Sequence, residues 1–459
     1  MCDLLIKNGK LVMPDEIILA DVMITNGKFS SFSEPGHGEA AKDWIDAKGC
    51  YLFPGIIDCH VHFNEPGFEY REDFETGSRA AAAAGCTCVI EMPLNCDPPL
   101  TDSDSFREKL QKVGAHSYVD FALWGGLVGG PDPAGNIASM PQMREGGIRA
   151  FKGFTCPNGS LFPTVNMGHV RKALTAAKEL DAVIGLHCEE YGQVLELERE
   201  AKEKKNRSRS EKISDFLAAH DKWTEYLAVV QAVSMAQATG GHVHICHVSH
   251  PMSAEIIKQA IAQGIPVTAE TCPHYLGFTR ELLYEKGVCA KCTPPLRERQ
   301  DAEQLWQYVL DGTLSCIGSD HSPAADEEKS DELDIWSAWG GLNSVQLFLP
   351  MMFDMAVSQR GLSPCLLTRT MSEQPAKIFG LYGRKGAFRI GFDGDVVILD
   401  PNRVWTCRQE KLVTKGHISC FHGVRGTGAP VYTILRGRVI ARDGDYLKEA
   451  VGYGSYLAL

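Results

Sequence analysis

No stretch of this 459-residue chain is apolar enough, for long enough, to cross a bilayer; each candidate is broken by glycine, proline or charge. The opening residues, MCDLLIKNGKLVM, also lack the basic segment and long apolar run of a secretory signal. Basic charge is scarce. Lys and Arg number 46 against 58 Asp and Glu, a net charge of −12, so the electrostatic footprint of a nucleic-acid binder is missing. These absences set the expectation of a cytoplasmic protein with neither membrane nor nucleic acid among its partners. In that compartment the 16 cysteines are expected as reduced thiols, not as a disulfide framework or a cysteine-based zinc site. Cys59, Cys188 and Cys246 each sit beside a histidine; on strands they would face away from it and pack as small apolar residues against helices. The charged run 196–212 mixes both signs and reads as a solvated helix and loop.

What is present is ample material for a large core, with 44% hydrophobic and 23% charged residues. Residues 1–50 hold short β-like runs at 4–9, 17–24 and 29–32, and Asn8-Gly9 and Asn26-Gly27 are hairpin signals. From residue 51 the texture changes. Strand-like runs at 52–63, 88–92, 118–127, 147–154, 182–188, 242–248, 266–271 and 314–319 alternate with helical patterns at 76–84, 104–112, 167–180, 225–238, 252–263 and 300–311. Eight strands with helical crossovers predict an α/β fold, a closed TIM-type (β/α)8 barrel over 51–385, with an open doubly wound sheet as the alternative. After 385 short β runs return, at 393–399 and 431–440. The two ends therefore predict one small β-sandwich domain, built from 1–50 and 386–459.

A parallel barrel carries its functional groups at the C-terminal ends of its strands. The first strand ends in His60 and His62, which share one face because strand side chains repeat every second residue. The fourth carries Lys152 inside an apolar run, where an unpaired ammonium costs several kcal/mol. The fifth ends in His187, the sixth in His247 and the eighth in Asp320. Any one of these has an ordinary structural explanation: a hydrogen-bonded histidine, or an aspartate capping a helix. Six on one rim do not. Imidazole and carboxylate together suit Zn²⁺ and its neighbours, and six donors suit two metals held close, able to activate water and polarise a carbonyl.

This pattern resembles the amidohydrolase superfamily, and within it the cyclic amidohydrolases that open dihydroorotate, hydantoin and allantoin rings. The resemblance runs over nearly the whole chain. It implies a Lys152 carboxylated by CO₂ and bridging two zinc ions, His60 and His62 on one metal, and His187 and His247 on the other. Asp320 is then both ligand and catalytic proton shuttle. His244 matches no ligand position. The segments His62-Phe63-Asn64-Glu65-Pro66-Gly67, Met92-Pro93-Leu94-Asn95, Ser319-Asp320-His321-Ser322-Pro323 and Ala338-Trp339-Gly340-Gly341 are most similar to the allantoin-opening branch. The dihydroorotate branch carries arginine where Asn64 stands, to grip a carboxylate; an amide suits a neutral ureide. Some features depart from that branch. Residues 68–74, including Arg71, look like the dihydroorotate branch, Arg71 being a possible source of the missing cation, and Ala219-His220-Asp221-Lys222-Trp223 replaces an expected Ser-Arg-Pro element. The implied function is hydrolysis of allantoin to allantoate, with dihydroorotase or hydantoinase (dihydropyrimidinase) as sister activities and a non-catalytic scaffold as the reading from another class. Expected substrate contacts are Asn64, Asn95, Thr293 and Gly341, with His274 behind them. The resemblance also implies a homo-oligomer, tetramer or dimer.

Overall fold

The computed structural model describes residues 1–130 and 135–459. Each of the eight expected parallel strands is present, all but the second shorter than its apolar run. They are β1 (Ile56–Val61), β2 (Cys86–Glu91), β3 (Asp120–Leu123 and, past Trp124, Gly125–Gly126), β4 (Ala150–Phe154), β5 (Val183–His187), β6 (His242–Ile245), β7 (Val267–Thr271) and β8 (Cys316–Ile317). Neighbours run in chain order: β1 to β2 to the first half of β3, and the second half of β3 through β4, β5, β6 and β7 to β8. The two sheets join at Trp124, whose amide donates to Glu91 O at 2.9 Å. On the opposite flank Val61 bridges His321 in parallel, and the His62 amide donates to His321 O at 2.7 Å.

Helices between the strands begin where the sequence offers oxygen caps. Asp73, Asp102, Asn166 and Asp221 accept the first free amides of Phe74–Ala83, Ser103–Val113, Met167–Glu179 and Lys222–Thr239. Each cap stabilises by about 0.5–2 kcal/mol. The alanine run 80–84 is buried, and Gly77 in the same helix lets it lie on Phe63: a Cβ there would come within 2.3 Å of that ring. This close seat fixes the loop that follows His62.

Both chain ends form one continuous nine-stranded sheet. Asn26-Gly27 makes the expected hairpin, with φ of 52° and 74° closing Thr25 onto Lys28. Asn8-Gly9 does not. The strand Cys2–Val12 runs straight through it and absorbs the left-handed Asn8 as an irregularity between Ile6 and Gly9, because pairing with Ile17–Thr25 continues on both sides. The run 52–63 also divides. Tyr51–Pro54 pairs antiparallel with Val396–Leu399 in the terminal sheet, and the chain turns at Gly55, where a Cβ would meet Thr87 Oγ1 at 2.0 Å. Buried Lys385 joins sheet to barrel strand, 2.7 Å from Asp120, 3.0 Å from Asp393 and 2.6 Å from Asp395.

Two of the three cysteine expectations fail. Cys188 belongs to the large apolar cluster on the helix side. Cys59 lies in the inner cluster with Ile57, Ile90, Trp124 and Cys316, its thiol 3.1 Å from Glu270 Oε2. Cys246 groups with His60 and Glu270. The register of β1 shifts between Asp58 and Val61, and β6 ends at Ile245, so strict alternation does not reach either residue.

Candidate active site

His60, His62, Lys152, His187, His247 and Asp320 all line one cavity of about 250 Å³. That is small beside the ~300–1,000 Å³ of pockets for drug-sized molecules. Two groups of three stand out. In the first, His60 Nε2 and His62 Nε2 lie 3.3 and 3.7 Å from Asp320 Oδ1. In the second, His187 Nδ1 faces His247 Nε2 at 3.1 Å, with Lys152 Nζ 3.5 Å from the same His247 nitrogen. The groups are contiguous, since the His60 and His247 rings are 5.4 Å apart. His187 stacks on Phe154 at 4.8 Å.

The backbone is bent to make this meeting. Among the described non-glycine residues with positive φ are Asn64, two residues past His62, Asn95 of the cavity wall, and two of the six donors, His247 (37°) and Asp320 (47°). For the last two this is costly backbone, of order 1–3 kcal/mol each, and such strain gathers at functional sites.

The set fits a metal pair. Burial pushes His62 down to about 4 and lowers His187, and burial together with the neighbouring Lys152 holds His247 well below the usual imidazole range, so three imidazoles offer neutral nitrogen. Burial opposes the charge of Asp320, but His60, His62 and His247 outweigh it and hold the carboxylate ionised. Burial likewise opposes a proton on His60; Glu270 and Asp320 prevail and lift it to about 10, a demand for positive charge that a cation would meet. Lys152 is fully buried, and among the described residues no carboxylate is within ion-pair distance of it. The histidines are held from behind, as metal ligands commonly are. Glu270 meets His60 Nδ1, Glu189 Oε2 accepts from His187 Nε2 at 2.7 Å, and the Asn95 amide lies 3.2 Å from His62 Nδ1.

Of the expected substrate contacts, Thr293 and Asn95 are on the cavity wall. Asn64 is not. The strand has ended at Val61 and Asn64 is left-handed, so the spacing that aligns His60 with His62 does not extend to it; it is buried with both amide atoms unpartnered. Gly341 is displaced by one residue: Gly340 is on the wall, and Gly341 is pinched against Ser322. Arg71 is committed elsewhere, forked onto Glu328 (Nε to Oε2, 2.8 Å) and lying 4.1 Å over Trp339. His244 is not on the cavity wall; its Nε2 is 3.4 Å from Glu270 Oε2, with Nδ1 on Thr268 Oγ1 at 2.9 Å. His274 is buried near Asp320 with both ring nitrogens unpartnered.

Five wall or support residues escape the sequence reading: Glu189, Glu198, His220, Glu270 and Lys291. Two carboxylates and two rings form a chain, His187 to Glu189 to His220 to Glu198, in which Glu189 Oε1 accepts from His220 Nδ1 at 2.8 Å and Glu198 Oε1 from His220 Nε2 at 2.9 Å. The signal for Glu270 was an acid in the β-run Val267–Thr271. A Cys-x-x-Cys spacing, Cys289 to Cys292, does occur; among the described residues it joins no third ligand.

Parallel strands that bring six nitrogen and oxygen donors to one small cavity define a hydrolase. The chain belongs to the amidohydrolase family, which it matches over residues 51–440. It is 37% identical over 451 residues to an allantoinase of Rubrobacter xylanophilus, covering 98% of this chain and 96% of that one. An allantoinase of Salmonella choleraesuis is 35% identical over 444 residues, 95% of each chain. Among solved structures, an L-hydantoinase (dihydropyrimidinase) from Arthrobacter aurescens superposes with a TM-score of 0.95 at 32% identity over 100% of both chains. A dihydropyrimidinase from Brevibacillus agri gives 0.89 at 25% identity, over 99% of this chain and 98% of that one.

Proposed function

We propose that this protein is a cyclic amidohydrolase that opens allantoin to allantoate. The observation that carries the chemistry is the meeting of His60, His62 and Asp320 with Lys152, His187 and His247 on one small cavity. The choice of ring rests on the allantoinases that match 95–98% of this chain, and on a wall that among the described residues has no guanidinium, Arg71 being clamped by Glu328.

Two zinc ions at this donor set would supply an activated water at neutral pH and polarise the ring carbonyl. His60 and His62 would hold one and His187 and His247 the other. Lys152, carboxylated by CO₂ with loss of a proton, would serve as a further anionic oxygen ligand in place of a buried ammonium. Asp320 takes a proton from the attacking water and returns it to the ring nitrogen as the C–N bond breaks, a base and then an acid. Thr293 and the backbone at Gly340 hold the ring amide, and Asn95 steadies His62.

The same reading takes the parallel strands as a closed (β/α)8 barrel over 51–385, supported by the contacts at Trp124 and between Val61 and His321. The segments 1–50 and 386–459 form the second domain, with Tyr51–Pro54 as the seam. The protein acts in the cytoplasm as a homo-oligomer. Hydantoinase activity is the second reading, supported by the solved hydantoinase and dihydropyrimidinase structures. Allantoin, dihydroorotate, hydantoin and dihydrouracil offered to zinc-loaded protein in bicarbonate decide between them. Ring opening of allantoin with the highest kcat/KM is the expected result; allantoin untouched while another ring opens rejects it.

A further inference from the structure

Beyond the six donors the cavity has another wall, which the proposed reaction leaves unused: Lys291, Glu198, His220, Phe216 and Val194. Lys291 is only 8% exposed. Its ammonium donates to Ala338 O at 2.7 Å and stands 5.4 Å from the Phe216 ring centre. Among the described residues no carboxylate comes within ion-pair distance of it. Burial pushes it down to about 8, the mark of a cation held without a matched anion. The segment is fixed from below, since Lys329 Nζ donates to Lys291 O at 2.9 Å and to Val288 O at 3.2 Å. An ammonium has three N–H donors, so two remain for the cavity that Lys291 lines.

Glu198 shares the wall. It accepts from His220 Nε2 at 2.9 Å and also pairs with Lys202, which leaves lone pairs but little unbalanced charge. An anionic substituent would leave the Glu198 lone pairs without a donor, and a cationic one would be opposed by Lys291. An uncharged arm with both a carbonyl and N–H groups satisfies the two together. A urea is such an arm. His220, which supports Glu198, stands in the segment where the expected Ser-Arg-Pro element is replaced, so the wall is built partly from what sets this chain apart.

We propose that Lys291 is a specificity-determining residue: its ammonium donates to the carbonyl oxygen of an uncharged urea arm on the substrate ring, and Glu198 accepts from the N–H of that arm. This rests on the reading of the protein as an allantoin hydrolase, allantoin being hydantoin with a ureido arm.

The test compares allantoin with hydantoin, the same ring without the arm, in wild type, Lys291→Met and Lys291→Gln. Hydantoin is followed as a substrate, or as a competitive inhibitor if it is not turned over. Glutamine keeps a donor for Ala338 O, so it guards against a Met variant that fails to fold; zinc content and thermal midpoint are recorded for each. Loss of a charged hydrogen bond should raise KM for allantoin about ten- to hundredfold with kcat changed by less than about threefold. The KM or inhibition constant for hydantoin should stay within about twofold. Equal losses for both rings, or no loss for allantoin, overturn the role of Lys291 and leave the allantoin reading intact. A wild-type protein that ignores allantoin and opens another ring overturns both.

Discussion

Glu270 holds His60 from beneath: one carboxylate oxygen meets His60 Nδ1, and the other lies 3.4 Å from His244 Nε2 and 3.1 Å from Cys59 Sγ. All four residues are buried. Because Nδ1 is taken, His60 can present only Nε2 to the cavity, 3.3 Å from Asp320. Glu270→Gln keeps the shape but turns one acceptor into a donor. Zinc affinity, read by competition with a chelator, should fall about 10–100-fold while the circular dichroism spectrum is unchanged. Wild-type affinity in this variant would show that Glu270 is only packing.

Lys152 sits 3.5 Å from His247 and, among the described residues, has no carboxylate within ion-pair distance. If its amine becomes the carbamate that joins two ions, Lys152→Met should bind one zinc per chain in place of two, by elemental analysis of protein equilibrated with excess zinc. Turnover should fall by at least about a hundredfold, the scale lost with an activated water. Two zinc ions retained at full affinity would refute the bridging role.

Asp320 is the proton carrier of the proposed reaction. Asp320→Asn cannot take the proton, and kcat should fall about 10²–10⁴-fold, the usual worth of general acid–base catalysis. The measurement is made at saturating zinc with metal content determined alongside, so that lost chemistry is separated from lost metal. A fall in kcat of less than about threefold would assign the proton to another group.

The parts of the molecule legible in the sequence are those governed by local periodicity. His60 and His62, two residues apart at the end of β1, both reach the cavity as their spacing suggested, and Asn26-Gly27, which favours positive φ at both positions, makes its turn. Asn64 was misplaced because the chain there has left its strand and turns left-handed, whereas Gly341 was carried over from the resemblance and lies one residue off the wall in a loop, pinched against Ser322. Glu198 was hidden for a different reason. Its run of mixed charge does form a solvated helix, Tyr191–Glu203, yet one residue of that helix turns to the cavity because His220, far along the chain, reaches it. Glu270, Glu189 and Lys291 likewise take their roles from partners on other strands and loops, which spacing does not reveal.

Lys329 gives a pH test of how tightly the loops beside the cavity are built. It is buried without a carboxylate in ion-pair distance among the described residues, and burial pushes it from 10.5 down to about 8. Between those values the unfolded chain binds more protons than the folded one, so the slope of stability with pH is positive across the window. Raising the pH from about 8 toward 10 should therefore stabilise wild type relative to Lys329→Met, by about 2 kcal/mol at 1.36 kcal/mol per unit less the reduced slope at either end of the window. At pH 7 the variant relieves a buried ammonium but leaves Val288 O and Lys291 O without their donor, a cost of about 1–3 kcal/mol, so the two proteins start close together. Urea midpoints at pH 7, 8.5 and 10 measure the difference directly, other alkaline titrations being common to both proteins. A gap that does not widen with pH would mean that Lys329 keeps its proton in the fold and that the loop is wetter than its burial implies.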